Sequence, residues 1–273
     1  MTSKETKLIE YNSNLYCPEC LSLIKMPINY GCLKEEFENA IIKIKRNKEK
    51  VVFALSGGKD SIVALQILVE KYGIRPITFT IDHGFKNDTI MKNCINIVSK
   101  YNLPWYLTRV EPFVIQRLKI LATSGELPCI ECNRLWKDSH FIKISNLFFA
   151  NYLFTGGDTP VNGKALYYKE TIPNVTIGLP LVVERFSEAT IYQKAYRLDW
   201  INPNLEGLDT DCIAVGIALE KYREKTKAQY HVEEKKHLSQ KIRFGLIDKK
   251  SAKERLLIHN KVNEKEVSLF ENI

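Results

Sequence analysis

The residues best suited to chemistry in this 273-residue chain form the run Ser-Gly-Gly-Lys-Asp-Ser at positions 56–61. A glycine turn presents free backbone N–H groups to an anion, serine hydroxyls add hydrogen bonds, and a lysine adds a positive charge. The aspartate that follows can hold a magnesium ion carried in with phosphate groups. The residues predicted to contact phosphate are Ser56, Gly57, Gly58, Lys59 and Ser61, with Asp60 as the magnesium ligand.

The segments on either side of this run predict how it is positioned. Residues 51–55 are all apolar and rich in β-branched side chains, which is typical of a parallel strand buried on both faces. Apolar residues then recur at helical spacing over residues 61–72. A strand, a glycine turn and a helix together direct the helix N-terminus at a phosphate. An ordinary Gly-Gly turn is the simpler alternative.

The rest of the central segment alternates between strand and helix patterns. Strands are predicted at residues 76–81, 105–110 and 152–155, and helices at residues 88–101 and 112–123. This alternation, with its phosphate loop after the first strand, predicts an α/β fold with a doubly wound parallel sheet. Ligands of such sheets bind at the carboxyl ends of the strands.

The run at 56–61 lacks the spacing of a Walker loop and resembles the PP-loop, Ser-Gly-Gly-x-Asp-Ser, of the ATP pyrophosphatase superfamily. The resemblance implies that the chain binds ATP and cleaves it between the α and β phosphates. Asp82, after the second strand, is then expected beside the adenosine end of ATP. Asp158, after the fourth strand, is a candidate contact for magnesium or substrate, or else an exposed turn residue.

A second group of candidate residues consists of cysteines. Cys129 and Cys132 form a Cys-x-x-Cys pair, and the third, Cys212, has no such partner. A pair with this spacing can be a redox dithiol, half of a zinc knuckle or part of an iron–sulfur site. Three thiolates would leave one iron of a [4Fe–4S] cluster open to an exogenous ligand, whereas a buried core cysteine is the simpler role for Cys212.

The PP-loop, the segment Cys-x-x-Cys-x-Arg-Leu at 129–135 and the later lone cysteine are similar to the iron–sulfur-dependent tRNA 2-thiocytidine and 2-thiouridine synthetases. This resemblance covers residues 51–219. It implies that Cys129, Cys132 and Cys212 hold a [4Fe–4S] cluster and, with Lys59 and Asp60, are catalytic. It also implies a tRNA base as acceptor, and sulfide or a sulfur-donor protein as the sulfur source. The chain departs from the family at 155–160, where Thr-Gly-Gly-Asp-Thr-Pro replaces Gly-His-x-x-Asp-Asp.

Two other classes of function stay open. The N-acetyl sugar amidotransferases also carry an N-terminal cysteine knuckle, Ser-Gly-Gly-Lys-Asp-Ser and a Pro-Cys-x-x-Cys pair, and their C-terminal region resembles residues 240–252. That resemblance implies ATP-dependent transfer of ammonia to a sugar. A nucleotide-binding protein without turnover is the third interpretation.

The N-terminal segment holds a smaller cysteine group. Cys17 and Cys20 form a Cys-x-x-Cys pair, Cys32 follows, and Glu35 stands where a second knuckle would place its last cysteine. Zinc takes four such ligands in a tetrahedron, so these four residues are a candidate zinc site. A reduced, buried hairpin is the alternative.

Composition indicates the kind of partner, the cellular compartment and the domain organisation. The chain carries a formal net charge of +8, which suits a polyanionic partner, and residues 220–255 hold much of its excess of lysine and arginine. Seven cysteines without a secretion signal indicate a reducing compartment, and no apolar run is long enough to cross a membrane. We therefore expect a soluble cytoplasmic protein, with a homodimer among its open oligomeric states. Three parts are predicted: a cysteine-rich module at 1–45, an ATPase domain at 46–219 and a basic helical extension at 220–273.

Overall fold

A computed structural model describes residues 8–132, 137–203, 212–257, 262 and 264–272 of the chain. The first elements are a two-stranded antiparallel ribbon, β1 (Ile9–Tyr11) and β2 (Asn14–Tyr16), and two helices, α1 (Pro18–Lys25) and α2 (Tyr30–Asn47). Phe37, Ile41 and Ile44 of α2 are buried in the same core as the central sheet. The predicted boundary at residue 45 stays a prediction.

The central sheet confirms the predicted α/β class. Its six strands are β3 (Val51–Ala54), β4 (Ile77–Asp82), β5 (Trp105–Arg109), β6 (Tyr152–Thr155), β7 (Leu166–Lys169) and β8 (Ile172–Gly178). They lie in the order β5-β4-β3-β6-β8-β7, and all neighbours are parallel except the edge pair β7 and β8. The strand order reverses at β3, so the carboxyl ends of β3 and β6 lie at the switch point where doubly wound sheets bind ligands.

Helices cover both faces of this sheet. The helices that follow β3 to β5 are α3 (Lys59–Gln66), which continues into a π-helical turn at Ile67–Lys71, then α4 (Asp88–Lys100) and α5 (Pro112–Ser124). The next ones are α6 (Cys129–Cys132), α7 (Asp138–Phe148), α8 (Pro180–Glu184) and α9 (Glu188–Tyr196). Phe53 and Phe154 point to one face of the sheet, whereas Val52 and Leu153 pack with α7 on the other. Alternation of side chains along buried strands produces these two apolar layers.

The C-terminal part is helical, as predicted. It contains α10 (Ile213–Thr226), α11 (Val232–Arg243), α12 (Lys249–Leu257) and α13 (Glu264–Glu271). A separate apolar cluster joins α10 to α5 through residues such as Leu118 and Ile217. Within the described part of the chain, no helix has the length and apolarity needed to cross a membrane.

Candidate active site

The predicted phosphate loop lies between β3 and α3 and is held in shape by its own serines. Ser61 Oγ accepts a hydrogen bond from the Gly57 N–H at 3.2 Å and donates one to the Gly58 carbonyl at 2.9 Å. Ser56 Oγ accepts from the Gly58 N–H at 3.2 Å and lies 3.0 Å from Ser61 Oγ. Helix α3 then begins at Lys59 without a side-chain cap, and the N-terminus of a helix favours an anion.

At two positions beside the loop there is room for glycine but not for a side chain. Gly57 has φ +88°, and a Cβ atom on it would lie 2.5 Å from the Ile90 carbonyl oxygen. Gly156, just after β6, packs directly on the start of α3, since a Cβ atom on it would lie 2.5 Å from the Ser61 nitrogen. The sequence feature that separates this chain from the tRNA synthetases, Gly-Gly at 156–157, therefore brings the end of β6 against the loop.

Two side chains that sequence analysis missed support the loop from behind. The Trp200 indole N–H donates to the Gly57 carbonyl at 3.1 Å, and Asn93 Nδ2 donates to the same oxygen at 3.3 Å. Asn93 also exchanges two hydrogen bonds with the backbone of Ile201. The sequence gives no motif for these contacts, because they join segments 36 to 143 residues apart.

The loop opens into a cavity of about 1280 Å³, which is large enough for ATP together with part of a second substrate. On one side the wall consists of apolar residues near the ends of β4 and β5, among them Phe79, Ile81 and Val110. On the other side it consists of the start of α9 and the turn between α11 and α12, residues 245–248. The C-terminal segment is thus part of the site.

Two predicted carboxylates near the loop, Asp60 and Asp158, differ in their surroundings. Asp60 Oδ2 lies 3.0 Å from Lys59 Nζ, whereas its other oxygen, Oδ1, is buried without a hydrogen-bond partner. Burial raises the pKa of Asp158, and the neighbouring Lys241 and Asp60 charges act on it in opposite directions. An unpartnered carboxylate oxygen beside a second carboxylate fits the oxygen ligands that magnesium takes.

Asp82 lies at the carboxyl end of β4, as predicted, but turns away from the cavity. Its carboxylate accepts a hydrogen bond from the Gly84 N–H at 2.8 Å and lies 3.7 Å from Arg109. Ile81 and His83, on either side of it, line the cavity instead. Desolvation by the surrounding protein lowers the pKa of His83 to about 3, so this imidazole is neutral.

The three later cysteines face one another across α6 and the start of α10. Burial is the main cause that raises the pKa of each thiol, to about 11 for Cys129 and to about 12 for Cys212. The Cys129 and Cys132 thiols act on Cys212 as well, so the 80-residue gap in sequence is closed in the fold. Cys132 lines the same cavity as the phosphate loop. Arg134 and Leu135 of the predicted motif lie outside the described residues.

Two lysines lie near both the cysteines and the phosphate-loop cavity. Lys86 Nζ donates to the Ser56 carbonyl at 3.0 Å, and the Lys86 backbone pairs with that of Cys212 in an antiparallel bridge. Lys137 lines the cavity, and its charge lowers the pKa of Cys132. A positive environment of this kind favours thiolates, whereas burial opposes them.

The thiols do not form a closed metal site as they stand. Among the residues that the structure describes, no group of three or more His, Cys, Asp or Glu side chains is arranged to hold a metal ion. Cys129, Cys132 and Cys212 are all thiols, the donors that iron–sulfur clusters take, and Cys132 lines the cavity.

The N-terminal cysteines are less closely grouped. Cys17 caps α1, where its sulfur accepts the Cys20 N–H at 3.4 Å. Cys32 is exposed at the start of α2, and Glu35 is exposed one turn further along that helix. The predicted zinc site finds no support in this arrangement.

Comparison with known proteins gives distant relatives. No protein-family model matches the chain. An uncharacterized protein of Methanocaldococcus jannaschii is 28% identical over 263 residues, which cover 93% of this chain and 90% of that protein. A tRNA-cytidine(32) 2-sulfurtransferase of Acinetobacter baylyi is 30% identical over 117 residues, and a tRNA-specific 2-thiouridylase of a Bradyrhizobium species is 32% identical over 123 residues. The chain is similar to PP-loop enzymes that use ATP.

That similarity is partial. Each of the two tRNA enzymes matches 39% of this chain, and the matched segments span 37% and 31% of the enzymes' own lengths. Among solved structures, an NMN synthetase from Francisella tularensis covers 84% of this chain and 91% of its own, with a TM-score of 0.47 and 14% identity. The similarity to the two tRNA enzymes is thus confined to part of the chain, and its reaction is left to be proposed.

Proposed function

We propose that the chain is an ATP-dependent sulfurtransferase that adenylates a carbonyl oxygen of its acceptor and replaces that oxygen with sulfur. The observation that carries this proposal is the shared cavity: Cys132, with Cys129 and Cys212 beside it, opens onto the space reached by the phosphate loop. We further propose a tRNA base as the acceptor, in line with the two tRNA-modifying relatives, and the cytoplasm as the location.

In the proposed reaction the phosphate loop acts in the first step, adenylation, by positioning ATP and stabilising its charge. The acceptor oxygen attacks the α phosphate of ATP, and pyrophosphate leaves. Lys59, the loop amides and the N-terminus of α3 stabilise the charge that develops on the leaving phosphates. Asp60, with Asp158 as its neighbour, would hold the magnesium ion that accompanies them.

The cysteines and their neighbours act in the second half of the reaction. Cys129, Cys132 and Cys212 would hold a [4Fe–4S] cluster, which when bound supplies an open coordination site for sulfide. The alternative with the same residues is direct chemistry, in which one cysteine carries a persulfide and another resolves it. In the cluster route, hydrosulfide sulfur bonds to the activated carbon and AMP leaves with the original oxygen. In the persulfide route, a sulfur-donor protein supplies the persulfide sulfur, whose outer atom bonds to the activated carbon as AMP leaves. A second cysteine then attacks the resulting mixed disulfide and releases the thiolated base, and an external dithiol reductant reduces the cysteine–cysteine disulfide that remains.

The apolar wall and the lysines orient these steps. Phe79, Ile81 and the neutral His83 offer a surface for the adenine ring near the end of β4. Lys86 donates to the loop carbonyl of Ser56 and pairs through its backbone with Cys212, which ties the start of α10 to the phosphate loop.

A second candidate function is favoured by one specific observation. Residues 245–248 and Ser251, in the segment that resembles the sugar amidotransferases, form part of the cavity wall. A compact acceptor such as an N-acetyl sugar would fit between this wall and the loop, with ammonia replacing sulfide as the nucleophile. The experiment that separates the two functions is ATP cleavage measured with sulfide and with ammonium, in the presence of tRNA or of an N-acetyl sugar.

A further inference from the structure

A buried carboxylate, Glu188, lies at the start of α9 in contact with three cations. Its side chain is 7% exposed. One carboxylate oxygen lies 2.9 Å from Lys241 Nζ and 3.5 Å from Lys59 Nζ, and the other accepts a hydrogen bond from Arg255. Two of these cations come from the C-terminal helices and one from the phosphate loop. Glu188 thus joins the two parts of the site.

The backbone fixes the same junction. The Glu188 N–H donates to the Leu246 carbonyl at 2.9 Å, in the turn between α11 and α12. Asp248 then caps α12 by accepting from both the N–H and the hydroxyl of Ser251, each at 2.8 Å. Because α12 begins at a defined place, Arg255 on its second turn is directed at Glu188 and not at solvent.

The three cations do not occupy equivalent positions. Lys241 is 2% exposed and bridges Glu188 to Asp158, at 3.6 Å from the latter. Lys59 and Arg255 both line the cavity. Lys241 therefore neutralises Glu188 and Asp158 from a buried position. Lys59 and Arg255, which both contact Glu188, face the cavity.

Two basic residues of the C-terminal segment lie at the site and not on an exposed face. The sequence predicted a basic helical extension, whose charge suits a polyanionic partner. Lys241 is instead buried, and Arg255 faces the cavity. On the same side lie two independent signs of an anionic ligand with its metal: helix α3 begins without a side-chain cap, and Asp60 Oδ1 is buried without a partner.

We propose that Arg255 is a second phosphate-binding cation, which acts with Lys59 on the β and γ phosphates of ATP and on the pyrophosphate that leaves. Glu188 is the positioning residue that holds both cations at the cavity wall, and Lys241 holds Glu188. This inference rests on the proposed use of ATP. It does not depend on whether the acceptor is a tRNA base or a sugar.

Calorimetric binding of Mg-ATP, Mg-pyrophosphate and AMP to the full chain tests the proposal. Arg255→Met should weaken binding of ATP and pyrophosphate roughly ten- to hundredfold, the range expected for one charge-assisted contact. AMP binding should change less than about twofold, because AMP lacks the β and γ phosphates. Lys253→Met, which removes an exposed lysine from the same helix, is the matched control and should bind all three ligands like the wild type.

Two further variants make the result independent of folding. Arg255→Lys keeps the charge and should recover part of the pyrophosphate affinity. Glu188→Gln should also weaken pyrophosphate binding, and its effect should be less than additive with that of Arg255→Met, because both act through the same cation. Additive effects would contradict the positioning role of Glu188. Far-UV circular dichroism of each variant shows that it is folded.

The possible failures are distinguishable. If the wild type binds ATP, and Arg255→Met binds both ATP and pyrophosphate with the affinity of the wild type, the inference is wrong while the proposed function stands. If Arg255→Met instead weakens binding of tRNA with ATP binding unchanged, the residue belongs to an RNA face and the inference is again wrong. If the wild type binds neither ATP nor pyrophosphate, the proposed function fails together with the inference.

Discussion

The backbones of Lys86 and Cys212 pair in an isolated antiparallel bridge, and the Lys86 ammonium donates to the carbonyl of Ser56 at 3.0 Å. This relationship places the last of three cysteines two contacts away from the phosphate loop. It explains how residues more than 120 positions apart share one site: the Ile213 N–H donates to the Phe85 carbonyl at 3.0 Å, so the start of α10 is anchored to the loop that follows β4.

Asp60→Ala should abolish release of pyrophosphate, with a loss of at least about a hundredfold, because the magnesium-bound phosphates lose their carboxylate ligand. The fold should be retained, since the substitution breaks the pair of Asp60 Oδ2 with Lys59 Nζ, and Lys59 still lies 3.5 Å from Glu188. Pyrophosphate release and thermal unfolding are measured on the same sample. Glu36→Ala, which removes an exposed carboxylate on α2, is the control. A variant that releases pyrophosphate at the wild-type rate would refute the assignment of the loop.

Anaerobic reconstitution with iron and sulfide should give about four irons per chain and a broad absorbance near roughly 400 nm. Changing Cys129, Cys132 or Cys212 to Ala should remove the iron and the sulfur transfer, whereas ATP binding should persist because the loop does not depend on iron. Cys94→Ala removes a buried cysteine elsewhere in the core and should keep its iron. Zinc measured in the same samples tests the N-terminal cysteines. Iron retained in Cys212→Ala would contradict the three-cysteine cluster.

Trp200→Phe should raise the KM for ATP, because the indole N–H that holds the Gly57 carbonyl is lost. The expected cost is about 1 kcal/mol, the usual value of one buried hydrogen bond. Trp105→Phe is a closely matched control, since its indole N–H donates to Thr80 in the sheet at 2.9 Å. Both variants should lose comparable stability, and only Trp200→Phe should alter the KM. Equal KM values in the two variants would show that Trp200 does not position the loop.

His83 predicts a dependence of stability on pH. Its pKa is about 3 in the folded chain, against an ordinary value of 6.5, because burial disfavours the charged imidazole. Between those two pH values the unfolded chain binds more protons, so this residue makes the free energy of unfolding fall as the pH is lowered through that window. Urea unfolding of His83→Gln at several pH values should show a shallower fall than the wild type. Parallel curves would contradict the burial of a neutral His83.

Much of the site could be predicted because its residues are consecutive. The run 56–61 carries its own donors, and the flanking strand and helix follow from local periodicity, so β3, β6 and α5 lie within a residue or so of the predicted bounds. The hairpin of β7 and β8 was missed, since its seven-residue strand contains Pro173 and Asn174 and gives no regular alternation.

The remaining site residues could not be found from local pattern. Neither Glu188 nor Arg255 stands in a motif, and Arg255 is one of many basic residues in the segment 220–255. Their role depends on the contact between α9 and the turn at Leu246, which joins segments nearly 60 residues apart. Asp82 shows the opposite case: its position at a strand end was correctly predicted, but the alternation of the strand turns Ile81 and His83 to the cavity in its place.

We propose that this chain cleaves ATP between the α and β phosphates in order to transfer sulfur to its acceptor. The most direct test incubates the reconstituted holoprotein with ATP labelled at the α phosphate, tRNA, and either sulfide or ammonium, and then measures AMP, pyrophosphate and thiolated base. We predict labelled AMP and thiolated base in equal amounts with sulfide, and neither product above background with ammonium. AMP formed only with ammonium and an N-acetyl sugar, or ADP formed in place of AMP, would contradict the account.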